Sequence, residues 1–129
     1  MNKILVEVSV GELLDKISIL EIKQEKIKDP EKLKFIDDEH GILKDQLKQN
    51  VKSDDKLNEL FQSLKEINAK LWIIEDDKRL CEKNSDFLEK FIKLSRDVHF
   101  LNDDRAKIKL EMNNHTGSKI KEIKEYTSY

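Results

Sequence analysis

An apolar stripe with steps of three and four positions runs from Leu57 to Cys81, interrupted at Lys78, and another from Phe87 to Met112, interrupted at Arg105. The first run is Leu57, Leu60, Leu64, Ile67, Leu71, Ile74, Lys78 and Cys81. The second is Phe87, Phe91, Leu94, Val98, Leu101, Arg105, Ile108 and Met112. A heptad pattern held for more than three repeats predicts two long helices meeting along a narrow seam. If the chain folds back near residue 84, Leu57 meets Met112, Leu64 meets Arg105, Leu71 meets Val98 and Lys78 meets Phe91. Both stripes stay in step along their whole length, so the pattern specifies an antiparallel hairpin.

A shorter hairpin precedes it. Val10, Leu13, Ile17, Leu20, Gln24 and Ile27 form one stripe; Leu33, Ile36, His40, Leu43 and Leu47 form the next. Folding back at Asp29-Pro30 sets Leu13 against Leu47, Leu20 against His40 and Gln24 against Ile36. Leu14, Ile19 and Ile22 put apolar residues on further faces of the first helix, which places it centrally in the bundle. Proline cannot continue a helix but fits the first turn of a new one, with Asp29 as its cap. With one proline and three glycines in 129 residues, little else in the chain makes tight turns.

The expected architecture is therefore all-α: one domain over residues 1–129, an antiparallel four-helix bundle of two hairpins. Its helices fall at about 9–28, 30–50, 55–82 and 86–113. Ser9-Val10-Gly11-Glu12 reads as a capping box, Ser53-Asp54-Asp55 as the cap of the third helix, and Asn84-Ser85 as the cap of the fourth. The fourth run ends in the stop signals of Asn113 to Gly117. Before the first helix, Ile4, Val6, Val8 and Val10 alternate with a period of two in β-branched residues. This predicts a short extended segment, with the tail from Ile120 to Tyr129 as its only candidate partner strand.

Charge excludes several functions. Lys plus Arg is 25, Asp plus Glu is 27, and the net charge is −2. Without a basic excess, and with only Arg79, Arg96 and Arg105 as arginines, no nucleic-acid partner is expected. No apolar run approaches the ~20 residues of a membrane span, and the interrupted start at Met1 to Val8 does not read as a signal peptide. A lone cysteine, Cys81, fits a reducing cytoplasm.

Motifs for chemistry are scarce. His40, Cys81, His99 and His115 show no paired ligand spacing, so no metal or other cofactor is expected. Glu12-x-x-Asp15 and Asp86-x-x-Glu89 place carboxylates one turn apart, but both lie at helix starts, where capping accounts for them. One flank of the long hairpin carries Trp72, Glu75 and Arg79 with Ser95, His99 and Asn102. The first helix offers Glu21 on its comparable flank. If the hairpins pack there, these seven residues form either a hydrogen-bonded polar layer or a pocket for a small anion. In the second case Arg79 would clamp the anion, Trp72 would stack, and His99 would carry the proton.

The segments Val8 to Lys23, Leu71 to Asp77 and Asn102 to Ala106 resemble an uncharacterised family of short helical proteins. That family is a domain of unknown function found in bacteria and bacteriophages. The likeness spans nearly the whole chain and implies no activity, cofactor or catalytic residue. Long heptad stripes without catalytic motifs lead to a non-enzymatic module as the expected function. It would dimerise through its helix faces or dock another protein on them. The alternative is a binder or enzyme acting on a phosphorylated or carboxylated metabolite through the inter-hairpin polar residues.

Overall fold

The computed structural model describes residues 2–129; Met1, at the head of the expected extended segment, lies outside them. Four helices follow one another: α1 (Val10–Lys26), α2 (Pro30–Asn50), α3 (Asp55–Lys83) and α4 (Glu89–Thr116). They form the expected all-α bundle of two hairpins. No strand occurs among the described residues, so the two ends do not pair as strands. The ends do meet: the Val10 amide donates to Ser118 Oγ at 3.1 Å.

The caps explain the boundaries. Ser9 Oγ accepts from the Glu12 amide (3.0 Å), Asp29 Oδ1 from that of Glu31 (3.1 Å) and Asp54 Oδ1 from that of Leu57 (2.8 Å). Each supplies an acceptor to a helix end that has spare donors. Pro30 opens α2 as expected. At the far end of α4, Gly117 adopts φ 67° and lets the Ser118 amide reach back to the Asn113 carbonyl (2.9 Å), a glycine-terminated helix end.

Two local expectations are corrected. The capping box is half formed, because the Glu12 carboxylate turns to Lys109 Nζ (2.7 Å) and Lys16 Nζ (3.8 Å). The Lys109 ammonium binds the carboxylate as an ion pair, which a neutral backbone amide cannot match. The fourth helix begins at Glu89 rather than near 86. Ser85 takes φ 52° to reverse the chain, and Asp86 Oδ1 accepts from the Leu88 amide (3.3 Å), closing a short turn outside the helix. Phe87 therefore sits at the tip, edge-on to Phe91 (5.5 Å between centroids).

The hairpin registers hold. Lys78 Nζ lies 5.8 Å from the centre of the Phe91 ring, the pair expected across the long seam. In the short hairpin, Gln24 bonds Asp37 (2.9 Å) and Glu21 meets His40 (3.1 Å), within one residue of the expected pairs.

The backbone of α1 lies close to all three other helices, whereas that of α2 lies close to α1 alone. The reason is in the residues. Leu14, Ile17, Leu20 and Ile22 of α1 are buried, while α2 buries only Ile36. The main cluster joins Leu14, Leu57, Leu64 and Met112, with Leu47 and Val51 packed at its edge. Because α2 leans on α1 and not on α3, a cleft of about 590 Å³ opens between the end of α2 and the start of α3. Leu14 and Ile17 of α1 close its floor. At about 1.5 Å per residue, α3 and α4 each exceed ~40 Å, against ~25 Å for α1. The long hairpin overhangs the short one.

Candidate functional site

The densest polar constellation lies where α1 crosses the long hairpin. Asp15 is 2% exposed. Its Oδ1 accepts from Asn68 Nδ2 (2.9 Å) and Arg105 Nε (3.0 Å). Its Oδ2 takes the second arm of the fork from Arg105 Nη2, and Lys109 Nζ stands 3.7 Å away. Asn68 Nδ2 also donates to Ser18 Oγ (2.7 Å), and Ser18 Oγ donates to the Asp15 carbonyl (2.8 Å). Lys109, itself buried, bridges Glu12 (2.7 Å) and Glu122 (3.1 Å).

The charges answer one another. Burial pushes the Asp15 carboxyl up, but hydrogen bonds from Arg105 and Asn68, with the charges of Arg105 and Lys109, hold it below the usual carboxylate range. Burial pulls Lys109 down, and Glu12, Asp15 and Glu122 more than restore it, leaving it raised. The hydrogen bond to Asp15 is the main cause that raises Arg105. No buried side-chain polar atom among the described residues lacks a partner. Such a closed network fixes how α1 sits on α3 and α4. Its donors and acceptors are spent on each other, which leaves it little to offer a substrate.

Gly11 allows this crossing. A Cβ there would lie 2.6 Å from the Lys109 carbonyl oxygen and 3.1 Å from Asn113 Oδ1. The Gly11 amide donates to that same Oδ1 at 2.7 Å.

The residues singled out in the sequence lie elsewhere and mostly apart. Glu21 pairs with His40 (3.1 Å) and Lys65 (3.4 Å). Trp72 and Ser95 are half-buried, whereas Glu75, Arg79, His99 and Asn102 are exposed. No ion pair engages Glu75 or Arg79 among the described residues. His99 packs edge-on to Tyr129 (5.3 Å), and Asn102 Oδ1 accepts from Arg105 Nη1 (3.4 Å). These residues share the flank of the overhanging arm with Leu88 and Ile92, which are 75% and 55% exposed.

The network itself went unread in the sequence. The stripe puts Arg105 in the α3–α4 seam; in the structure its guanidinium turns to Asp15, because leucines cannot solvate it. Glu12 and Asp15 read as capping groups. The usable signal was the pairing of spacings: two carboxylates one turn apart on α1, and two cations, Arg105 and Lys109, one turn apart on α4.

No group of three or more His, Cys, Asp or Glu side chains poised to hold a metal ion occurs among the described residues. Fold and network together define a small all-α bundle locked by a buried ion network. The chain belongs to a family of unknown function, DUF6165, whose model matches residues 4–129. No curated protein and no solved structure matches it.

Proposed function

We infer that this chain is a non-enzymatic interaction module. The short hairpin and the buried network brace one end of the long hairpin, and the free arm of α3 and α4 meets another protein or a second copy of the chain. The observation that carries this reading is the apolar surface left on the arm: Leu88, Ile92, Ile73 and Leu80 are each more than half exposed, and Phe87 caps the tip at 47%. Leu88 and Ile92 stand one turn apart on one flank and Ile73 and Leu80 on the other, and apolar side chains left exposed in this way are a usual mark of a protein contact. Glu75 and Arg79 stand on the same arm, one turn apart and opposite in charge. A two-fold partner could satisfy both, because in such an interface each residue meets the other's counterpart. A reducing compartment such as the cytoplasm suits the buried, unpaired Cys81 thiol. No helix among the described residues is long and apolar enough to cross a membrane.

Catalysis or metabolite binding through Trp72, Arg79 and His99 has less support, because Arg79 and His99 face solvent on the arm instead of a closed pocket. Sedimentation of the wild type over a concentration series, beside Ile92→Glu, tests self-association. A photo-crosslinking residue at position 88 in living cells tests for a different partner. Self-association that Ile92→Glu abolishes, or a discrete adduct from position 88, is the expected result. A strict monomer that yields no adduct would overturn the reading.

A further inference from the structure

The cleft between the end of α2 and the start of α3 stands apart from both the ion network and the arm. Its walls are the half-buried Leu47 and Val51 on one side and Phe61 on the other. Its rim is basic. Lys44 and Lys48 lie one turn apart on the same face of α2, and Lys52 follows in the link to α3. Asp45 is the only acidic residue lining it. Lysine stems extend an apolar wall while their ammonium groups reach for water or an anion. The volume of about 590 Å³ falls in the range of small-ligand sites.

We propose that this cleft binds a single-chain amphiphile with an anionic head, its alkyl chain on Leu47, Val51 and Phe61 and its head among Lys44, Lys48 and Lys52. The composition of the rim selects this class. Three ammoniums against one carboxylate favour a negative head. The lining holds no arginine fork to grip a planar phosphate pair and no exposed ring pair to sandwich a base, so nucleotides fit poorly. A neutral chain would leave the rim charges unused. The site is independent of the interaction module: it lies on the short-hairpin side, and its ligand would also bridge α2 to α3, whose backbones otherwise stand apart.

Calorimetric titration of the full chain with dodecanoate, below its micellar concentration, tests the proposal beside dodecanol and vesicles of anionic phospholipid. The expected result is one dodecanoate per chain, with dodecanol at least about tenfold weaker. In the doubly charge-reversed variant Lys44→Glu, Lys48→Glu, dodecanoate should bind at least about tenfold more weakly while thermal unfolding stays unchanged. Should that variant misfold, the single change Lys52→Glu serves, with a smaller loss in the same direction. No heat from dodecanoate, equal binding of the alcohol, indifference to the lysine reversals, or binding to vesicles alone would each overturn it.

Discussion

Gly11 and Lys109 touch backbone to backbone: the Lys109 carbonyl oxygen occupies the space a Cβ on Gly11 would need, 2.6 Å away. At this one point the first turn of α1 lies flush on α4, and the Lys109 side chain then reaches the Glu12 carboxylate. Gly11→Ala must push the helices apart and stretch the hydrogen bond from the amide of residue 11 to Asn113 Oδ1. Overpacking of this kind costs about 1–3 kcal/mol. Thermal unfolding should register it as a fall of several degrees, with helical content retained.

Asp15 accepts the Arg105 fork and adds its charge to the carboxylates around Lys109. Asp15→Asn keeps the volume but leaves Arg105 and Lys109 without their shared counter-charge. A loss of about 2–4 kcal/mol is expected, below that for a fully buried pair because Arg105 keeps some access to water. Urea unfolding measures it. A double-mutant cycle with Arg105→Gln should show strong coupling, since one fork joins the two residues.

Acid should act through the same carboxylate. The folded value of Asp15 lies below its unfolded value of about 3.9. Its contribution is therefore fully present above that pH and is lost as pH falls toward the folded value. Wild-type stability should drop steeply below about pH 4, while that of Asp15→Asn changes less over the same range. Parallel urea curves at descending pH check this.

Helix α2 has one buried residue and one neighbour. Local stability follows burial, so its amides should exchange with solvent faster than those in the middle of α1, α3 and α4. Ile36→Ala should speed exchange throughout α2 and leave α3 and α4 unchanged. Hydrogen exchange read helix by helix separates this from global unfolding.

Arg79→Ala should change stability by less than about 0.5 kcal/mol, because the side chain is exposed and engages no ion pair among the described residues. The contrast with Asp15→Asn, measured in the same urea series, separates the arm from the locked crossing.

The hairpins were legible because they rest on periodicity. The Lys78–Phe91 contact follows from counting stripes back from a turn, and Glu21–His40 lies one residue from the counted pair of Leu20 and His40. The crossing of one hairpin over the other was not legible, because it rests on single residues. Nothing in a helical stripe marks Gly11 as a point of closest approach, and Asn68 looks like any polar position until Asp15 and Ser18 meet it. The flank expected to be covered illustrates the same limit. Asn68 is buried against α1, but α1 runs on from there to Lys65 and away from Glu75 and Arg79, and helix stripes do not reveal the direction in which an overlying helix crosses.

The bond from the Val10 amide to Ser118 Oγ brings the beginning of α1 beside the end of α4. The order in which the helices are synthesised is therefore separable from the contacts that hold them. A circular permutant that starts at Ser53, runs through α3 and α4, passes by a short linker into α1 and ends with α2 would meet the same neighbours. Ser118 and Val10 would become interior to the chain, and the link at residues 51–54 would become its free ends.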